Sequence, residues 1–220
     1  MSTPKWESQT CFVCGTESKI CFFSDTEMGA RDLDQRPAEM KRSTMPFWIH
    51  ECPHCGFISQ DLSDRTHVTQ EWLKGELFTS CGGRTFSSRL AQQFYKFYLI
   101  NQYDNNAAAS FYAARCAAWE CDDTEDNENA VYCRQCALTA LDQLAAQDPP
   151  IDPDILEDLF VIRADLLRRC GQFEQVIAEY SEKQFSLEVM NKIIAFQIEK
   201  AQQQDTRRYD LSDVPGIEEE

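Results

Sequence analysis

A mainly α-helical fold behind a small N-terminal module of short β-strands is predicted by three observations. Two C-x-x-C-G motifs fall within the first sixty residues, apolar side chains recur at helical spacing from residue 87 onward, and Gly and Pro punctuation becomes sparse after Phe57. At 220 residues the chain has the length for one large domain or for two. Local composition divides it into residues 1–60 around the cysteine motifs, residues 61–204 with helical periodicity, and an acidic tail, 205–220, expected to be disordered.

The first motif is Cys11-Phe12-Val13-Cys14-Gly15 and the second Cys52-Pro53-His54-Cys55-Gly56. Two residues between thiolates let the chain turn both sulfurs toward one ion, and the following glycine relieves the turn. Four thiolates from Cys11, Cys14, Cys52 and Cys55 close a tetrahedral Zn2+ site with no open position, which makes the single ion structural rather than catalytic. His50 and His54 are alternative ligands, but four thiolates already suffice. The total of eleven cysteines is odd and the chain is not small, so metal is favoured over a disulfide framework. Between the knuckles, 19–24 and 45–51 are rich in β-branched and aromatic residues and read as short strands of a zinc ribbon. So few large apolar residues lie here that metal binding, worth on the order of 10 kcal/mol in small zinc modules, is expected to drive its folding.

The helices follow in order. Leu90, Phe94, Phe97 and Asn101 mark a face on a helix starting near Ser87 or Ser88, which Asn105 and Asn106 interrupt. Residues 107–120 are alanine-rich with Phe111, Tyr112, Cys116 and Trp119, a composition that permits close helix approach. After an acidic turn, Ala130, Cys133, Ala137, Leu141 and Leu144 repeat until Asp148-Pro149-Pro150 stops the helix. Asp152 as N-cap and Pro153 at the first position begin the next, whose stripe is Ile155, Leu159, Ile162 and Leu166, ended by Gly171. Phe173, Val176, Ile177 and Tyr180 define a further helix, and Leu187, Met190, Ile194 and Ile198 the last. Short connections imply antiparallel hairpins. Ala164, Gly171, Phe173 and Tyr180 resemble the tetratricopeptide pattern of a small residue, a turn glycine and two aromatics, so the second region reads as a tetratricopeptide-like antiparallel helical array.

Cys11-x-x-Cys14, Arg31-Asp32-Leu33-Asp34 and the run from Met45 to Phe57 together resemble an uncharacterised bacterial family, known as a domain of unknown function, that joins a split four-cysteine ribbon to tetratricopeptide-like helices. The resemblance implies the same two-part architecture and supplies no catalytic residues.

Charge narrows the function. The net charge of −16 divides into −2 over residues 1–60 and −14 over residues 61–220, so the helical part repels phosphate backbones and broad nucleic-acid binding is disfavoured. No apolar run approaches the roughly twenty residues a bilayer requires, and Met1–Thr10 lacks the apolar core of a secretory signal, so a cytoplasmic protein is expected. The leading reading is an adaptor or scaffold that presents a helical groove to a protein or peptide. In a tetratricopeptide-like hairpin containing Ala164, helical spacing turns Asp158, Val161, Asp165 and Arg168 toward that groove, Val161 being the apolar anchor. A second reading is nucleic-acid binding through the ribbon, with Phe47 and Trp48 stacking on bases. A third is an enzyme using the paired carboxylates of Asp32 and Asp34. Cys116, Cys121, Cys133 and Cys136 are better read as buried core than as a second metal site.

Overall fold

In a computed structural model, which describes residues 4–23, 26–147 and 152–217, two small β-hairpins lie against a run of packed helices. Strands β1 (Lys5–Thr10) and β2 (Glu17–Phe22) pair antiparallel, with Thr10 opposite Glu17. Strands β3 (His50–Glu51) and β4 (Ile58–Ser59) form the second pair. Each cysteine knuckle is the turn of one hairpin. The backbone N–H of Phe12 donates to the Leu62 carbonyl at 2.8 Å and that of Leu62 to Gln9 Oε1 at 3.0 Å, which fastens the two hairpins to each other.

The strand expected over 45–51 starts inside a 3₁₀ turn, Arg42–Phe47, and only its last two residues pair. Pro46 explains the difference: its ring holds φ near the helical value and removes an N–H that a strand ladder needs. Met45 faces inward from this turn and is buried. The other expected strand is β2 moved two residues earlier, and Ser24 lies outside the described residues.

Two short helices, α1 (Gln70–Lys74) and α2 (Glu76–Thr79), lead into α3 (Arg89–Tyr103), α4 (Ala107–Asp123), α5 (Asn127–Ala145), α6 (Pro153–Arg169), α7 (Phe173–Tyr180) and α8 (Glu188–Gln202). The punctuation acts as expected. Ser88 caps α3 by accepting from Leu90 N at 3.1 Å, and Asn106 caps α4 by accepting from Ala109 N at 3.1 Å. Gly171 follows α6 with φ of +74°, the left-handed conformation that ends a helix. The Asp148-Pro149-Pro150 stop lies outside the described residues. Consecutive helices from α3 to α8 pack on one another, and α8 also returns to α6.

The middle of helix α4 is deeply buried: Ala113, Ala114, Cys116, Ala117, Ala118, Trp119 and Cys121 are almost inaccessible. Its alanines let α3 and α5 approach on two sides. The third side receives residues 34–36 of the loop between β2 and β3. One apolar core therefore runs from Cys11 and Ile20 through Phe57, Leu62, Phe94 and Ala117 to Leu166 and Val214, crossing the boundary drawn at residue 60.

Two other expectations are overturned. The tail over 205–217 is packed: Leu33 N donates to the Tyr209 carbonyl and Leu211 N to the Arg31 carbonyl, a bridge joins Asp32 and Asp210, and Val214 is buried. The groove on α6 is filled, because α8 and this tail cover it. Val161, Asp165 and Arg168 are buried, and of the four groove residues only Asp158 is exposed. Asp165 Oδ1 accepts from Arg168 at 2.7 Å and from Gln197 of α8 at 2.9 Å, while Arg168 also donates to the carbonyls of Asp205 and Arg207 at 2.7 and 2.9 Å. Mixed charge on a helix face here marks an interior polar cluster whose members satisfy one another.

Arg168→Ala is expected to strand the Asp165 carboxylate, lower stability by about 3–5 kcal/mol in urea denaturation, and release the tail. Limited trypsin digestion reads the release directly as faster cutting after Arg207 and Arg208.

Candidate metal centre and the charge network behind it

The two knuckles have the same backbone design. Gly15 N donates to the Cys11 carbonyl at 2.8 Å and Cys11 N to the Thr16 carbonyl at 2.9 Å; Gly56 N donates to Cys52 at 2.9 Å and Cys52 N to Phe57 at 2.8 Å. Gly15 and Gly56 adopt φ of +71° and +77°, so each knuckle demands a residue free of the left-handed penalty at the same place.

This geometry gathers the four sulfurs. Cys11 and Cys55 lie 3.6 Å apart, as do Cys14 and Cys52, and all four Sγ atoms fall within 4.8 Å of one another. Metal–sulfur bonds of about 2.3 Å in a tetrahedron put sulfurs about 3.8 Å apart, so the set fits a single tetrahedral ion. Cys11 and Cys52 are buried, Cys14 and Cys55 partly exposed. Burial pushes the Cys55 thiol well above its ordinary range. At Cys14 burial acts the same way, but hydrogen bonds from Thr16 outweigh it and bring the thiol to about 6. Four crowded sulfurs of this kind are suited to share one cation.

Neither histidine belongs to the cluster. His54 is exposed, and His50 is buried edge-on to Phe22 with ring centroids 4.8 Å apart, burial holding its pKa below the ordinary value. Among the described residues no other three His, Cys, Asp or Glu side chains assemble into a metal-sized group, and Cys116, Cys121, Cys133 and Cys136 are core residues.

Asp32 and Asp34 are both buried, but not as an open pair of carboxylates. Asp34 Oδ2 accepts from the Trp119 indole N–H at 2.7 Å and faces Arg169 at 3.4 Å, while its backbone carbonyl accepts from Arg115 at 2.9 Å. Burial would raise its pKa; the charges of Arg169 and Arg134 and the indole hydrogen bond hold it below the ordinary carboxylate range. Asp32 pairs with Arg42 at 2.7 Å, yet burial and the neighbouring Asp34 charge raise its pKa. Arg169 continues to Asp122 at 2.8 Å, Asp122 also holds Arg134, and Arg36 donates to Asp123 at 2.9 Å.

Sequence reasoning missed this network. Its signal was present: Arg115 sits within the alanine-rich run, Arg134 beside the Cys133 and Ala137 stripe, and Arg168-Arg169 directly after Leu166-Leu167. Arginine embedded in an apolar helical stripe is inconsistent with a solvated face, and its counter-ion must come from elsewhere in the fold.

Removing Asp34 leaves Arg169 and the Trp119 N–H buried without their acceptor. Asp34→Ala is expected to cost about 3–5 kcal/mol in urea denaturation at neutral pH. Because the folded pKa of Asp34 is depressed, its contribution is complete above the unfolded value of about 3.9 and is lost as pH falls through the folded value. The stability difference between parent and variant should therefore shrink below about pH 4.

The chain matches no protein-family model, no curated protein and no solved structure, and its own geometry carries the functional argument.

Proposed function

We propose that this chain is a zinc-stabilised adaptor. One zinc ion on Cys11, Cys14, Cys52 and Cys55 fixes the two N-terminal hairpins, and the module they form presents a docking surface to a protein partner while the helices serve as its scaffold. The observation that carries this reading is the exposure of large apolar side chains around the first knuckle: Trp6 on β1 and Phe12 inside the knuckle are 64% and 50% accessible. Met28 and Met40 in the following loop are exposed as well. Exposed aromatics and methionines are the residue types enriched in protein interfaces. The surface is thus reassigned from α6 to the metal module.

A closed set of four thiolates leaves no coordination position for substrate, which favours a structural ion. The burial of Asp32 and Asp34 among arginines counts against the acid–base reading, since neither carboxylate is free to exchange protons with a substrate. The tetratricopeptide-like reading is retained for α6, α7 and α8. Ala164 is inaccessible there, Tyr180 donates to the Phe160 carbonyl at 2.9 Å, and α8 packs back on α6.

Elemental analysis of protein purified without chelator should find one zinc per chain, and Cys14→Ala or Cys52→Ala should lose it. Iron in place of zinc, which tetrahedral thiolates also accept, or two ions per chain, would overturn the assignment. For the surface, cross-linking in native lysate followed by mass spectrometry identifies the partner and the residues it touches. The variant Trp6→Ser with Phe12→Ser should weaken that partner about tenfold or more while keeping its zinc. Cross-links confined to the helices would sink the surface assignment.

A further inference from the structure

Where the metal module meets α4, a cleft of about 580 Å³ opens. It falls in the size range of small-molecule sites, about 300–1,000 Å³. Its walls are aromatic: Phe23 and Phe47, with ring centroids 4.4 Å apart, come from the module together with Trp48, and Tyr112 comes from α4. The indole N–H of Trp48 is already donated to Thr44 Oγ1 at 2.8 Å, so this ring offers the cleft an apolar surface and no free donor.

The charged groups that line the cleft among the described residues are of one sign. No described Asp or Glu lines it, although the chain carries 37 acidic residues against 21 basic ones, whereas Lys41 and Arg115 do. Arg115 is the exception in the buried arginine network. Arg36, Arg134 and Arg169 each reach a carboxylate within 4.0 Å, but among the described residues Arg115 has no such partner. Its Nη1 donates to a backbone carbonyl, that of Asp34, and its buried Nε is unpaired, as it is in Arg36, Arg134 and Arg169. What sets Arg115 apart is a guanidinium with no carboxylate to balance it, a charge that an anionic ligand in the cleft would neutralise. Lys41, also without an ion pair among the described residues, supplies a second cation at the same cleft.

We propose that this cleft is a binding site for a small planar aromatic anion, a ring carrying phosphate or carboxylate, with the aromatic walls stacking on the ring and Arg115 and Lys41 taking the anionic group. A long polyanion is a poor occupant, because the surrounding surface of a chain with net charge −16 repels it. The site is distinct from the partner surface around Trp6 and Phe12, and it rests on the metal-held module without resting on the adaptor reading.

The test is a titration of the zinc-loaded full chain, followed by tryptophan fluorescence and calorimetry. The probes are adenosine monophosphate, indole-3-acetate, adenosine, inorganic phosphate and a short oligothymidylate. Saturable one-to-one binding of the monophosphate or the aromatic carboxylate is expected, and which of the two binds identifies the anionic group. Adenosine and phosphate alone should bind about tenfold weaker or worse, since each lacks one half of the recognition. Lys41→Glu, a change at a partly exposed side chain, should weaken binding about tenfold with zinc content and helicity unchanged. Arg115→Gln should do at least as much, and Lys41→Glu keeps the test decisive if that variant misfolds. No saturation by either aromatic anion up to about 5 mM, or unchanged affinity in Lys41→Glu, would overturn the proposal. So would an oligothymidylate that outcompetes the mononucleotide, which would make single-stranded nucleic acid the occupant. Partner binding through Trp6 and Phe12 is read in a separate assay, so the two proposals fail independently.

Discussion

The architecture hinges on the carboxylate of Asp34. It is 1% exposed and sits where the loop between the two hairpins, helix α4 through Trp119 and helix α6 through Arg169 converge. An isolated carboxylate in that position would be driven to protonate; with a guanidinium and an indole N–H aimed at it, the charge is retained and converts into geometric constraint. Each partner comes from a different element, so the ion cannot be satisfied unless all three are in place. The neighbouring pairs, Arg36 with Asp123 and Arg169 with Asp122, extend the same condition along α4. Apolar packing brings these elements together, and the buried charges define their relative position.

The four-cysteine cluster and this network divide the labour within the first sixty residues. The cysteines gather the tips of two hairpins, and a two-stranded hairpin by itself is marginally stable at best. The long loop between them is anchored by charge to the helices and, through Asp32 and Leu33, to the C-terminal segment. Residues far apart in sequence therefore share one interior, and the cleft lined by Phe47, Trp48 and Tyr112 lies along the seam.

How much of this was legible in the sequence varied with the kind of interaction. The knuckles were legible because thiolate spacing and the following glycine are chemical requirements, and helix positions because a 3.6-residue period survives in apolar side chains. Helix ends were legible at Ser88, Asn106 and Gly171, where a side-chain cap or a left-handed residue is needed. The charges were not. Asp165 and Arg168 obey the spacing of an exposed face, and only α8 and the tail, which cover them, reveal that the face is interior. The acidic tail misled for the same reason: its composition suggests solvent, while Tyr209, Leu211 and Val214 do the packing. Over 45–51 the strand preference of aromatic residues yielded to one proline.

The separation between Asp34 and its counter-ion bears on how the chain is made. The two residues lie 135 positions apart. At translation rates of roughly 5–20 residues per second, Arg169 follows Asp34 from the ribosome by about 7–27 s. During that interval the hairpins have their cysteines but not the surroundings that accommodate the loop between them. Leu33 is buried in the finished protein, and the Tyr209 carbonyl that takes its N–H is synthesised later still. Closure of the interior around this loop therefore waits on α6 and the segment that follows α8, whatever the state of the hairpins.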